Sequence, residues 1–137
     1  MKIKPYLTFK GQCQEAIDLY SNAFKTKASE VMRFSDLPKN PERVIPESQK
    51  NWILQATIPF GDNYIRLSDC GGDHPLDETP TERIAINIEC SVEEVKHAFA
   101  VLSEEGEVGI SLQKTFFSPC HGVVFDKFGV MWNFVAQ

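Results

Sequence analysis

Adding 79 to the residue number carries Leu7 onto Ile86, Phe9 onto Ile88, Glu15 onto Glu94, Ala16 onto Val95 and Tyr20 onto Phe99. One strand face and one helix face are reproduced together, so the chain reads as a duplicated β-α-β-β-β unit. A coincidence between two amphipathic strand–helix pairs would give the same arithmetic, and the identity between the halves is weak. Either way, 137 residues suit one domain, or two small half-domains sharing a core.

The elements follow from hydrophobic period. In IKPYLTF, residues 3–9, Ile3, Leu7 and Phe9 share one face and Lys4, Tyr6 and Thr8 the other. That alternation reads as a half-buried strand, with Pro5 near its start where a missing N–H is tolerated. From Gln12 to Phe24, Cys13, Ala16, Ile17, Tyr20, Ala23 and Phe24 recur at helical spacing, giving an amphipathic helix of about three turns. Residues 28–34 look like a strand, and 35–51, with three prolines and many charges, a mobile loop. Strands at 52–59 and 64–68 flank a turn at FGDN.

The stretch DCGGDHPLDETPTE, 69–82, is polar and Gly/Pro-rich. It divides a first module, 1–69, from a second, 83–137, with 70–82 as linker. The second module opens with Ile84, Ile86 and Ile88 on one strand face and Arg83, Ala85 and Asn87 on the other. Ser91 followed by Glu94 is a capping box that places a helix start at 91. Val92, Val95, Ala98, Phe99 and Leu102 form that helix's buried stripe, and Gly106 ends it. Strands around 109–116, 121–126 and 130–135 complete the unit, with a turn at DKFG.

A net charge of −5 and no Lys/Arg cluster argue against a nucleic-acid footprint. No apolar run approaches the roughly 20 residues that span a bilayer, and MKIKPYLTF lacks the apolar stretch of a signal peptide. A cytoplasmic address is expected, with no nucleic-acid or membrane partner. Cys13, Cys70, Cys90 and Cys120 are widely spaced without CxxC or CxxH, so zinc-ribbon and thioredoxin readings fail and free thiols are expected.

Two stretches carry a family resemblance. PYLTFKGQCQEAIDLYSNAF resembles the opening strand and helix of the PhnB-like branch of the vicinal-oxygen-chelate superfamily, which includes glyoxalases, bleomycin-resistance proteins and extradiol dioxygenases. FDKFGVMWNFV resembles the branch's closing D-x-F-G-x-x-W signature, here Asp126, Phe128, Gly129 and Trp132. IRLSD at 65–69 resembles the end of the first module, while 35–51 aligns with nothing specific. The resemblance implies an α+β fold of two β-α-β-β-β modules, their mixed sheets curled around a cavity. It also implies a homodimer, in some relatives with modules exchanged between chains, which the linker length permits without requiring.

In metal-dependent relatives four strand positions supply His, Gln or Glu to a divalent ion. Here those places fall on Lys4, Arg66, Arg83 and Asn133, with Ser68 as the fallback for Arg66. A protonated Lys or Arg has no lone pair to give a metal. The resemblance therefore carries over the fold without the metal chemistry, and no metal or other cofactor is expected. Three cations at one cavity fit an anionic ligand, with Arg offering a planar fork to carboxylate or phosphate. Tyr6, Tyr64 and Asn133 would add directional polar contacts, and Met131 an adaptable apolar wall. The plainer reading is that these cations lie at strand ends and reach into solvent, and exposure statistics give it the greater weight.

Other candidates are weaker. Cys120 and His121 are adjacent, but neighbours on a strand point to opposite faces. Asp69, Asp73, His74, Asp77 and Glu78 cluster in the linker without the spacing of a calcium loop. His97, Glu15 and Asp18 fall on the polar sides of their helices, and Trp132 and Phe134 read as core.

Three functions compete. A metal-free small-molecule binding module, for an anionic or aromatic ligand, is the preferred reading, with no catalytic residue assignable. A metal-dependent lyase, isomerase or dioxygenase is the alternative, and a purely structural dimer the third. Relatives often carry a demethylubiquinone methyltransferase name. Nothing in the chain resembles a glycine-rich nucleotide-type cofactor loop, so that activity is not expected.

Overall fold

In a computed structural model the structure describes residues 1–73, 75, 76 and 83–137. The chain forms two compact units, one of Met1–Ser21 with Thr26–Leu76, the other of Asn22–Lys25 with the described part of Asp77–Gln137.

The first unit contains β1 (Tyr6–Phe9), most of α1 (Cys13–Ala23), β2 (Ser29–Arg33), β3 (Ile53–Phe60) and β4 (Asn63–Asp69). Its strands form one mixed sheet of order β1-β4-β3-β2, with β1 parallel to β4 and the other neighbours antiparallel. Alternation decides what is buried. Ile65 and Leu67 lie inside with Ala56 and Ile58 of β3, while Tyr64 and Arg66, on the other face, are only half-buried. Phe9 and the apolar side of α1 (Cys13, Ala16, Ile17, Tyr20) complete the interior.

One carboxylate organises this unit. Asp69, at the end of β4 and 4% exposed, accepts from the backbone N–H of Gly11 (2.7 Å) and Cys13 (3.0 Å) through Oδ1, and from Ile53 N–H (2.9 Å) through Oδ2. A residue remote in sequence thus serves the free amides at the start of α1, where a negative charge also suits the helix dipole. Gly11 makes the turn possible: its φ is +84°, and a Cβ there would stand 2.9 Å from the Trp52 ring. Asp69 is therefore a structural residue of β4 and not part of an open linker.

The 35–51 segment is tied at both ends. Phe34 and Ser35 N–H donate to the carbonyls of Trp52 and Lys50, and Gln49 exchanges hydrogen bonds with the backbone of Gly72. Short 3-10 turns at Phe34–Asp36 and Glu47–Gln49 bracket a segment, 37–46, that is a loop as composition leads one to expect.

The second unit contains β5 (Ile86–Cys90), α2 (Val92–Ser103), β6 (Glu107–Gln113), β7 (His121–Phe125) and β8 (Met131–Ala136). Its mixed sheet has order β5-β8-β7-β6, the same plan as the first, again with the first strand parallel to the last. The offset of 79 that carries Leu7 to Ile86 also carries Cys13, the start of α1, to Val92, the start of α2. Neither sheet closes into a barrel. Both legs of the capping box form: Ser91 Oγ accepts from Glu94 N–H, and Glu94 Oε2 accepts from Ser91 N–H. Val95, Ala98, Phe99 and Leu102 are buried with Val124, Trp132 and Phe134 of the sheet. The Phe24 ring lies 5.1 Å from that of Trp132.

Asp126 is the counterpart of Asp69 in effect. Its Oδ1 accepts from Phe128 and Val130 N–H, closing the DKFG turn around Gly129 (φ +82°), and its Oδ2 accepts from the buried Trp132 indole at 2.9 Å. The D-x-F-G-x-x-W signature is thus a self-contained device: one carboxylate fixes a turn and seats the largest core side chain.

Pro5 stands directly ahead of β1, where its missing N–H is tolerated as expected, and its carbonyl accepts from Arg66 N–H. Two expectations are corrected. Ile3 and Ile84 are 89% and 76% exposed, because the strands begin only at Tyr6 and Ile86. His97 does not end in solvent; its Nε2 lies 3.0 Å from the Asn22 carbonyl.

Candidate functional site

Each sheet has a face not committed to its core, and the residues singled out from sequence fall on or beside these faces. In the first unit β1 and β4 pair Tyr6 with Arg66, and β3 and β4 pair Thr57 with Arg66, so Arg66 stands between Tyr6 and Thr57. Tyr6 is 52% exposed. Lys4 Nζ sits 4.0 Å from the centroid of the Tyr64 ring and Arg66 Cζ 5.7 Å from the same centroid. Two cations therefore share one aromatic ring. Arg66 Nε is buried and has no hydrogen-bond partner among the described residues. A desolvated, unsatisfied N–H costs about 1–3 kcal/mol. Beside it, Thr57 Oγ1 donates to Glu30 Oε2 at 2.9 Å. Glu30 has φ +52° in the irregular part of β2, an uncommon conformation that turns its carboxylate to Thr57.

The sheet register also ranks the two candidates on β4. Thr8 pairs with Ser68 as Asn87 pairs with Asn133, and Tyr6 pairs with Arg66. Ser68 is thus the register counterpart of Asn133, and Arg66 that of Met131.

In the second unit Met131 and Asn133 alternate with buried Trp132 and Phe134, while Arg83, exposed, lies ahead of β5. Asn133 is fully engaged. Its Nδ2 donates to Asn87 Oδ1 at 2.6 Å and its Oδ1 lies 2.9 Å from His121 Nε2. Asn87 Nδ2 donates in turn to Glu89 Oε1 at 3.3 Å. Sequence reasoning weighed His121 only as the neighbour of Cys120, and Glu89 was not singled out. Strand alternation already put Asn87 on the polar face of β5, but only the parallel pairing of β5 with β8 brings it to Asn133.

Cys120 is buried, whereas His121 turns its ring to Asn133, so the two do not form a thiol–imidazole pair. Burial and the nearby Asp69 push the Cys13 thiol far up, and burial with Glu94 raises that of Cys90 to about 11. Neither has the lowered pKa of a nucleophile. Asp73 is exposed; His74, Asp77 and Glu78 lie outside the described residues. Among the described residues no group of three His, Cys, Asp or Glu is placed to hold a metal. Of the residues that the resemblance sets at ligand places, Lys4, Arg66 and Arg83 have no lone pair for a metal, and Ser68, the register counterpart of Asn133, is a weak donor at most.

Two β-α-β-β-β modules with this strand order define an α+β protein with the glyoxalase/bleomycin-resistance fold. Residues 1–135 match the family model described as 3-demethylubiquinone-9 3-methyltransferase, and the chain belongs to that PhnB-like family. Protein YjdN of Escherichia coli strain K12 is 27% identical over 146 residues, spanning 100% of this chain and 97% of YjdN. The crystal structure of PA1353 from Pseudomonas aeruginosa superposes with a TM-score of 0.80 at 28% identity, covering 100% of this chain and 98% of that one. A PhnB protein from Bacillus cereus, described as a putative 3-demethylubiquinone-9 3-methyltransferase, gives 0.77 at 23% identity with both chains fully covered.

Proposed function

We propose that the chain is a metal-free small-molecule binding protein whose first unit takes an anionic group, a carboxylate or a phosphate, between Lys4 and Arg66. The observation that carries this reading is the pairing of two cations, Lys4 and Arg66, on the one Tyr64 ring, with Arg66 Nε lacking a hydrogen-bond partner among the described residues. Guanidinium supplies directional donors and ammonium a mobile point charge, while Tyr64 and Tyr6 give an aromatic wall suited to an aryl anion. The second unit offers a candidate set of its own, Arg83 for charge and Met131 for adaptable apolar surface, with Asn133 beside Met131 on β8. The family's methyltransferase description is not adopted as the activity, because the sequence offers no glycine-rich nucleotide-type loop.

A homodimer accompanies this reading. Support comes from the apolar residues left exposed on edge strand β6, Val108 and Ile110. Four unpaired cysteines suit a reducing compartment such as the cytoplasm.

The test is calorimetric titration with inorganic phosphate and with benzoate. Arg66→Ala is expected to weaken binding by about 1.5–3 kcal/mol, roughly 10- to 150-fold in Kd, and Lys4→Ala by less. An unchanged Kd for Arg66→Ala overturns the anion reading. A stoichiometric transition metal in protein purified without chelators or an affinity tag would overturn the metal-free part.

A further inference from the structure

The hydrogen-bond chain on the second unit's polar face has a direction. Glu89 stands at one end, accepting from Asn87 Nδ2 through Oε1 and from Gln137 Nε2 through Oε2 at 2.9 Å. An ionised carboxylate only accepts. Asn87 must therefore turn its amide nitrogen to Glu89 and its oxygen to Asn133. Asn133, donating there at 2.6 Å, turns its own oxygen to His121. That oxygen cannot donate, so the proton of the shared bond sits on His121 Nε2. A neutral imidazole has one N–H, which leaves Nδ1 as a bare lone pair, and Nδ1 has no hydrogen-bond partner among the described residues. The Phe117 ring stands edge-on to the imidazole, its centroid 5.1 Å away, and Phe117 is 52% exposed.

The geometry points to His121 as a ligand-contacting residue: Glu89, acting through Asn87 and Asn133, fixes Nδ1 as a hydrogen-bond acceptor for a hydroxyl or N–H of a small molecule lying against Phe117. The two amides and Glu89 are positioning residues, since they act through the imidazole. This site is additional to the anion site proposed above. It lies in the other unit and selects the opposite chemistry, a donor in place of an acceptor.

Ring 15N NMR of the histidine-labelled full chain tests it, with His121→Phe used to assign the His121 signals. At a pH where the ring is neutral, the wild type is expected to show only the Nε2-protonated tautomer. Glu89→Gln, whose amide can either donate or accept, is expected to release the chain's direction and populate both tautomers. Finding Nδ1–H in the wild type overturns the inference, as does a single unchanged tautomer in Glu89→Gln. Phenol and anisole, alike except for the donor, then probe the acceptor. Phenol is expected to move the Nδ1 resonance saturably and anisole to bind about tenfold more weakly, the worth of one hydrogen bond. Equal binding, or no movement of Nδ1, overturns it. Phosphate titrated into the same samples reads the anion site separately. Loss of the phosphate response alone counts against the proposed function, and loss of the phenol response alone counts against this inference.

Discussion

Single carboxylates carry much of this architecture. Asp126 satisfies two backbone amides and a buried indole at once. Asp126→Ala orphans the Trp132 N–H in the core and opens the turn, so a loss of about 3 kcal/mol or more is expected, each buried unsatisfied group costing about 1–3 kcal/mol. Asp126→Asn keeps one acceptor and should lose less. Urea unfolding of both variants checks the order, and equal losses would count against the shared-carboxylate account. Thiol chemistry is also decided residue by residue. Cys13 and Cys120 are buried, and Cys90 ionises only near 11. Below that pH, the thiolate fraction of Cys90 grows about tenfold per pH unit. Alkylation of native protein, resolved by mass spectrometry, should therefore show Cys90 labelling slowly at pH 7 and steeply faster by pH 9, with Cys13 protected throughout.

At the scale of elements, the start of α2 is the clearest case of a local instruction that the fold obeys. Ser91→Ala removes the cap and should cost about 1 kcal/mol. Hydrogen bonds from the Ser91 hydroxyl and backbone hold the Glu94 carboxyl below its usual value. A carboxyl lowered in the folded state adds stability above its unfolded pKa, and that stability fades as pH falls through the folded value. The Ser91→Ala deficit should therefore be full near pH 7 and shrink in acid; a deficit independent of pH between 7 and 3 would remove Glu94 from the account. Gly106, just beyond α2, is required for a different reason, since a Cβ there would overlap the carbonyl oxygens of Phe125 and Leu102. Gly106→Ala should cost about 2 kcal/mol or more, read as a lowered unfolding midpoint.

Elements of this kind were legible because their signals are local. The capping box and the closing signature each need only a dozen or so residues of context, and the 79-residue offset only the comparison of two such windows. Asp69 was not legible as the residue that serves the start of α1, because its partners Gly11 and Cys13 lie 58 and 56 positions away. Nor was the His121–Asn133–Asn87 chain, which depends on the register of a parallel pair that no turn sets. Alternation did identify the polar faces of β1 and β5. It overran their starts at Ile3 and Ile84, since an alternating pattern does not reveal where a ladder partner ends.

For the whole molecule, the expected assembly is two copies. If the face bearing Val108 and Ile110, 44% and 40% exposed on β6, is covered in that dimer, Ile110→Lys should weaken self-association by at least about tenfold, since burying an unpaired ammonium is costly. Sedimentation equilibrium measures it, and an unchanged dimer constant would move the interface elsewhere. The chain has two tryptophans, and each unit holds one. Trp132 is sealed in the second unit's interior with its indole N–H on a carboxylate, whereas Trp52, only half-buried, lies over Gly11 in the first. Their emission should differ in colour, so a single fluorescence experiment has two intrinsic channels. It can show whether the halves of a duplicated fold lose their structure in one step or in sequence, without any label being added.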